Sequence, residues 1–156
     1  MKTTLFSLKS ILLVFCAALT GIIANAQTVD WAKNMGGNSL DYGYAMAVDD
    51  SGNVFVTGYF FSSTAEFDPG GTGGTLTTAG NYDVFLAKYD ATGSLLWAKS
   101  MGGSSGDYGF SVAVDGNGDV YVAGMINSAT AEFNSGGPGG TLTNAGLYDA
   151  FLAKYG

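Results

Sequence analysis

Short runs of hydrophobic residues, broken by polar positions, recur along most of the chain and are separated by glycine and aspartate. Four such runs cover residues 42–48, 54–60, 83–89 and 94–100, and all are rich in aromatic or aliphatic residues. The apolar triplet within the second run predicts a strand covered on both faces. No stretch after residue 26 shows the helical period. The pattern predicts an all-β protein.

The whole pattern occurs twice. Residues 31–89 align without a gap on residues 97–155, and roughly 38 of the 59 paired positions are identical. Each copy begins with Trp-Ala-Lys, at Trp31 and Trp97. Four strands per 66-residue unit is the number found in one propeller blade. We therefore predict β-propeller blades made of four-stranded antiparallel sheets, in two tandem repeats at about 31–96 and 97–156, the second truncated.

The number of repeats predicts an incomplete propeller. Residues 28–35 match the fourth strand of the repeat, so that eight strands, or two blade equivalents, are expected. Closed propellers typically have four to eight blades, and two blades alone leave apolar faces and strand edges exposed. Two interpretations follow. The chain is a fragment of a larger protein, or several copies close a ring in which residues 28–35 supply a missing outer strand.

The N-terminal segment has the pattern of a secretory signal peptide. Lys2 and Lys9 precede an apolar run at residues 11–19, and an Ala-Asn-Ala sequence ends at Ala26. We predict cleavage between Ala26 and Gln27. The apolar run is shorter than the ~20 residues that a membrane span needs. We therefore expect a secreted or cell-surface protein whose mature chain has no membrane span.

Composition excludes several kinds of chemistry. The chain has no His, no Arg and one Cys, Cys16, which lies in the predicted leader. It therefore cannot build a His-ligated zinc site, a Ser-His-Asp triad or an arginine phosphate clamp. After residue 26 there are four lysines and all 13 acidic residues, giving a net charge of 4 − 13 = −9. Because phosphate neutralisation needs clustered basic residues, we expect no nucleic-acid partner.

Three linked motifs resemble a known family. They are Trp-Ala-Lys-x-Met-Gly-Gly, Val-Asp-x-x-Gly-x-Val-x-Val-x-Gly and Asp-x-Phe-Leu-Ala-Lys-Tyr, and each occurs in both repeats. Together they resemble the SBBP-type β-propeller repeat of secreted bacterial proteins, over residues 28–156. The resemblance implies propeller blades and an extracytoplasmic location. It supplies no catalytic residues.

The predicted topology brings one group of candidate ligand residues to a single face. Because strand direction alternates in an up-and-down sheet, the loop of residues 61–82 and the connection of residues 36–41 emerge on the same side. Carboxylates beside aromatic rings there suit the hydroxyl and C–H groups of a sugar. The candidates are Asp41, Tyr42, Glu66, Tyr82, Asp107, Tyr108, Glu132 and Tyr148. The alternative is that these residues cap turns and pack the rim.

A second candidate site lies between Asp115 and Asp119. Asp115, Asn117 and Asp119 have the first three spacings of a calcium loop, although the glycine and the final glutamate of such a loop are missing. The same segment suits a hairpin turn. We predict no cofactor, with Ca²⁺ at this segment as the alternative.

These observations predict a secreted, non-enzymatic β-propeller scaffold or interaction module, part of a larger extracellular or surface protein, whose protein or glycan partner the sequence does not identify. The alternative is a lectin-like protomer that self-associates into a propeller ring and binds glycans. A polysaccharide-acting hydrolase or lyase is a third hypothesis. It needs two carboxylates about 5 to 9.5 Å apart, one with a raised pKa.

Overall fold

A computed structural model describes residues 27–134 and 140–156. Its regular elements are all β-strands, and Trp31–Gly156 form one compact unit. The described ranges contain no helix long and apolar enough to cross a membrane. The signal peptide predicted for residues 1–26, with its cleavage residue Ala26, lies outside the described residues.

The all-β prediction is confirmed, with twelve strands in the described ranges. In chain order they are β1 (Gly36–Gly37), β2 (Asp41–Val48), β3 (Val54–Phe60), β4 (Thr64–Glu66), β5 (Thr75–Thr77), β6 (Asp83–Tyr89), β7 (Leu95–Gly103), β8 (Asp107–Val114), β9 (Val120–Ile126), β10 (Thr130–Glu132), β11 (Thr141–Thr143) and β12 (Asp149–Tyr155).

The first repeat forms a complete four-stranded blade. Strand β2 pairs with β3, β3 with β6 and β6 with β7, all antiparallel. Aspartate side chains fix the two short turns. Asp49 Oδ1 accepts hydrogen bonds from the backbone N–H groups of Ser51 and Asn53, and Asp90 Oδ1 accepts them from Thr92 and Ser94. Such Asx turns reverse the chain locally, so the blade follows from the sequence pattern.

The second repeat supplies three strands of a second blade. Strands β8, β9 and β12 form an antiparallel sheet that corresponds to β2, β3 and β6. Among the described residues, no strand pairs with the outer edge of β12. The described chain is therefore an incomplete propeller, as predicted.

One predicted strand is absent. Residues 28–35 form no strand, and only β1, which follows them, pairs with β4. The corresponding segment of the second repeat is a strand because it lies along β6. Residues 28–35 have no such neighbour in the described part of the chain, so the prediction of an eighth blade strand was wrong for the single chain.

The long loop between β3 and β6 contains a hairpin that was not predicted. Strands β4 and β5 pair with each other, and β4 also pairs with β1. In the second repeat β10 and β11 form the same hairpin, which pairs with the last two residues of β7, Gly102 and Gly103. Strand β7 therefore begins in the first blade and ends against the second repeat.

The largest hydrophobic cluster lies between the two blades. Phe55, Val84 and Leu86 of the first blade share it with Val112 and Val122 of the second. This contact explains the continuous apolar runs of β3 and β6, because these strands are covered on both faces. The blades approach closely at Gly109 of β8, where an added Cβ would lie 2.7 Å from Thr57 Oγ1 and 2.8 Å from Val84 Cγ1.

Candidate functional site

In each repeat, one aspartate at the start of β2 or β8 connects that strand to the loop that follows β3 or β9. This aspartate is half-buried in the first repeat and buried in the second. Asp41 Oδ2 accepts hydrogen bonds from the backbone N–H of Gly37 at 2.7 Å and from the hydroxyl of Ser62 at 2.8 Å. Asp107 accepts the same set from the corresponding residues of the second repeat. These carboxylates therefore connect the residues before β2 and β8 to the loops after β3 and β9.

The two candidate glutamates fix the hairpins. Glu66 Oε1 accepts a hydrogen bond from the backbone N–H of Asp68, and its Oε2 accepts one from the hydroxyl of Thr75. Glu132 makes the equivalent pair of bonds in the second hairpin. These donors stabilise the charged form, so they lower the pKa of both glutamates. Neither side chain suits a general acid.

Aromatic rings cluster at the start of β2 and β8 and near the end of β3. The structure brings together two candidates of the first repeat and one of the second with four rings that were not predicted. The set, which we call the aromatic surface, comprises Tyr42, Tyr44, Tyr59, Phe61, Tyr82, Tyr108 and Phe110. Tyr148, the remaining aromatic candidate, is exposed, and no ring contact joins it to this set among the described residues.

Two β-bulges direct rings into this surface. The pairing of β2 with β3 passes from Gly43 to Ala45, so Tyr44 is the extra residue. The pairing of β8 with β9 skips Phe110 at the corresponding position. A bulge turns its extra side chain away from the regular alternation. As a result the ring of Tyr44, from the first repeat, contacts the ring of Phe110, from the second, with ring centroids 5.4 Å apart.

Tyr59, at the end of β3, is the centre of the aromatic surface. Its ring lies 5.1 Å from that of Tyr42, 5.3 Å from Tyr82 and 4.8 Å from Tyr108. Its hydroxyl is 3.5 Å from that of Tyr44. The hydrogen bond with Tyr44 and burial raise the pKa of Tyr59, and burial raises that of Tyr108. The phenols therefore stay neutral at physiological pH and present O–H groups beside ring faces.

Asp83 is the described carboxylate with a raised pKa. Burial raises the pKa of Asp83 to about 6, and the charge of Asp107 adds to the effect. Its Oδ2 accepts a hydrogen bond from Ala79 N–H, while Oδ1 is buried without a hydrogen-bond partner among the described residues. A side chain at Gly102 would collide with both carboxylates, 2.6 and 2.8 Å away. Both carboxylates are buried in the described chain.

The segment considered for calcium forms a turn between β8 and β9. Asp115 Oδ1 accepts hydrogen bonds from the backbone N–H groups of Asn117 and Asp119, and Asp119 forms an ion pair with Lys154. In residues 27–134 and 140–156 no three acidic side chains are grouped closely enough to hold a metal ion. The prediction of no cofactor, with Ca²⁺ at this turn as the alternative, stays a prediction.

Comparison of the two repeats explains which rings the sequence did not identify. Tyr59 and Phe61 correspond to Met125 and Asn127, so they do not recur in the second repeat. Tyr44 recurs as Phe110, but their direction depends on the bulge. The available signal was the density of aromatic residues at 42–61, which contains six of them.

Comparisons with known proteins agree with this architecture. The SBBP family, described as a β-propeller repeat, matches residues 26–59 and 96–129. A WD repeat-containing protein of Acanthamoeba polyphaga mimivirus is 30% identical over 129 residues, which are 80% of this chain and 9% of that protein. Regulatory protein FlaEY of Caulobacter vibrioides is 47% identical over 47 residues, 30% of this chain and 5% of that protein. The chain therefore spans less than a tenth of each relative.

Proposed function

Because the chain carries two β-propeller repeats of the SBBP family, we propose that it is a secreted, non-enzymatic interaction module within a larger propeller protein. The similarity to a WD repeat-containing protein supports a repeat scaffold. The chain covers only 9% and 5% of the lengths of these two relatives, which supports a place in a longer protein.

The observation that carries this proposal is the aromatic surface. Tyr42, Tyr44, Phe61 and Phe110 are all exposed there, although they come from both repeats. Aromatic side chains are enriched in binding surfaces because they bury a large area at a small cost in conformational entropy. Contiguous exposed apolar patches are typical of interaction surfaces, which supports this proposal.

A non-enzymatic role is supported by the state of the carboxylates. The candidate carboxylates Asp41 and Glu66 accept intrachain hydrogen bonds, and the pKa of Glu66 and Glu132 is lowered. The carboxyl with a raised pKa, Asp83, is buried. Release of reducing sugar from a polysaccharide panel, lost in Asp83→Asn, would contradict this part of the proposal.

Secretion rests on the leader pattern in residues 1–26. Expression of the complete reading frame with export should give a mature chain that begins at Gln27, because a small residue precedes the expected cleavage site. Intact-mass spectrometry of the exported protein checks this. A chain that keeps residues 1–26 and stays in the cytoplasm would contradict it.

The partner test uses the exoprotein and surface fraction of the source organism. The full chain is immobilised, and bound mass is followed by biolayer interferometry before and after the fraction is treated with proteinase or with periodate. A protein partner gives a signal that proteinase abolishes and periodate leaves intact. The double variant Tyr44→Ser/Phe110→Ser should lose at least tenfold in affinity, as expected for hot-spot aromatic residues.

The matched control is Leu96→Ser. Leu96 is also an exposed apolar residue, but it lies on β7 and makes no part of the aromatic surface. It should bind as the unchanged chain does. Equal binding by the double variant and this control would refute the role of the aromatic surface.

The second candidate function is glycan binding, which the tyrosine hydroxyls favour. A ring face packs against the C–H face of a sugar while a neighbouring phenol hydrogen-bonds its hydroxyls. Tyr42, Tyr44, Tyr82 and Tyr108 provide both groups within one surface. In the same experiment, a signal abolished by periodate and resistant to proteinase would select this function.

A further inference from the structure

Each repeat holds a lysine between a carboxylate and an aromatic ring. Lys88 Nζ lies 3.8 Å from Asp49 Oδ2 and 4.8 Å from the ring centroid of Phe55. The corresponding group of the second repeat comprises Asp119, Lys154 and Tyr121. Because the face of an aromatic ring carries negative charge density, an ammonium group in this position is stabilised by both neighbours. These two groups lie beside the turns that follow β2 and β8.

The aromatic surface lies at the opposite end of the same strands. Phe55 pairs with Lys88, whereas Tyr59 pairs with Val84, four residues further along β3. At about 3.3 Å per residue, these two positions of β3 are about 13 Å apart. In the described part of the chain, no lysine lies over a ring of the aromatic surface.

Carboxylates accompany the rings at this end as well. Three tyrosines of the aromatic surface each have an aspartate as their neighbour in the sequence, in the pairs Asp41–Tyr42, Tyr82–Asp83 and Asp107–Tyr108. Within residues 27–134 and 140–156, no ion pair joins these aspartates to a lysine. Burial raises the pKa of Tyr108, and the negative charge of Asp107 adds to this effect, so the field of Asp107 reaches the ring. The described chain therefore combines carboxylates and rings here without a lysine of its own.

The ring faces of the aromatic surface are accessible to a cation from outside. Four of its rings are between 39% and 53% exposed, namely those of Tyr42, Tyr44, Phe61 and Phe110. The hydroxyl oxygens of Tyr44 and Tyr59 are 3.5 Å apart, and a phenol oxygen can accept a hydrogen bond from an N–H group. A guanidinium group stacks on aromatic rings and also donates hydrogen bonds. The surface thus offers both kinds of contact to an arginine side chain.

We propose that the aromatic surface recognises arginine and lysine side chains in a basic segment of the partner protein. This inference rests on the proposed function, because it names the chemistry of the partner that binds the same surface. The four lysines and 13 acidic residues after residue 26 make the chain strongly acidic. Such a charge attracts a basic segment and repels an acidic one. Arginine binds more tightly than lysine, because its planar group both stacks and donates several hydrogen bonds.

The first test uses defined peptides with the full chain. The chain is immobilised, and binding of a soluble peptide of alternating arginine and glycine is measured by biolayer interferometry. The matched peptide has citrulline in place of arginine, which has a similar shape but no charge. We expect at least tenfold weaker binding of the citrulline peptide, and weaker binding of the arginine peptide as salt is raised. Equal binding of the two peptides would overturn the proposal.

Two variants separate the ring faces from a general attraction to an acidic protein. Tyr44→Ser/Phe110→Ser keeps the net charge and should weaken binding of the arginine peptide at least tenfold. Asp50→Asn removes a negative charge from the turn after β2, and its affinity should stay within about twofold of the unchanged chain. Because all three side chains are exposed, far-UV circular dichroism should not change. A larger loss in Asp50→Asn than in the double variant contradicts recognition by the rings.

The second test returns to the exoprotein and surface fraction. The signal that proteinase abolishes should be competed by the arginine peptide and not by the citrulline peptide. A proteinase-sensitive signal that Tyr44→Ser/Phe110→Ser loses, but that the arginine peptide does not compete, would overturn this inference and leave the proposed function in place. A signal that periodate abolishes, and that the arginine peptide leaves unchanged, would select a glycan and also overturn it.

The opposite failure is equally visible. Binding of the arginine peptide through Tyr44 and Phe110, with no proteinase-sensitive signal from the fraction, would contradict the proposed protein partner while it supports recognition of cationic side chains. The peptide comparison is made on the unchanged chain, so its result does not depend on how any variant folds. The two proposals therefore fail separately.

Discussion

Replacement of Asp107 by alanine should destabilise the protein much more than the same replacement of Asp41. Asp107 is 0% exposed. It accepts hydrogen bonds from the backbone N–H groups of Gly103 at 2.8 Å, Asn127 at 3.0 Å and Ser128 at 3.1 Å, and from the Ser128 hydroxyl at 2.6 Å. Asn127 N–H also donates to a carbonyl oxygen. Asp107→Ala therefore leaves three donors without an acceptor.

The expected magnitude follows from burial. Each buried donor that loses its partner costs about 1–3 kcal/mol. Partial relaxation then gives about 3–5 kcal/mol for Asp107→Ala. Asp41 makes the same bonds in a half-buried position. Because water can replace its carboxylate, we expect about 1–2 kcal/mol for Asp41→Ala.

Urea unfolding, followed by circular dichroism and by tryptophan fluorescence, measures both variants. Equal costs at the two positions, or a cost below about 1 kcal/mol for Asp107→Ala, would refute the reasoning from buried donors.

Three further predictions use the same unfolding assay. Burial raises the pKa of Asp83 to about 6, so the folded state favours the protonated carboxyl. The contribution of Asp83 to the free energy of unfolding is therefore full below about pH 4 and is lost as the pH rises through 6. The free energy of unfolding of Asp83→Asn should therefore rise relative to that of the unchanged chain between pH 4 and 7, by about 3 kcal/mol at most. A difference between the two chains that does not change with pH would contradict this. Gly109→Ala should cost about 1–3 kcal/mol, because its Cβ would lie 2.7 Å from a threonine hydroxyl of the first blade. At Gly43, where the nearest atom is 4.0 Å away, alanine should be neutral, and equal effects would argue against the blade contact. Gly93→Ala should cost about 1 kcal/mol more than Gly70→Ala, since both have positive φ but only the first would place Cβ 2.8 Å from an indole ring; a smaller cost at Gly93 contradicts this.

Most of the fold was predictable because the signals for it are local. Strands β3 and β6 occupy the predicted residues 54–60 and 83–89, and β2 begins one residue earlier than expected. The alternation of hydrophobic and polar residues, together with the Asx turns, defines each of these strands. The end of β7 was not predictable in this way. Gly102 and Gly103 have the composition of a loop, and they are strand residues only because β10, far along the chain, pairs with them.

The contacts of the candidate residues could not be predicted from the sequence. The alternation of strand direction predicted that Asp41 and Glu66 lie on one face, and in the structure both carboxylates accept hydrogen bonds from within the chain. Tyr44 and Phe110 were missed because the direction of a bulged side chain depends on register with the next strand. Tyr59 was missed because the most central ring is not repeated.

The course of β7 has a consequence for how such a protein lengthens during evolution. One structural blade is completed by residues that precede the inner strand of the next, so the genetic unit and the structural unit are out of phase. Duplication of one 66-residue repeat therefore inserts a strand whose sequence already suits pairing with the preceding blade. A new blade therefore has the residues for both of its contacts from the start.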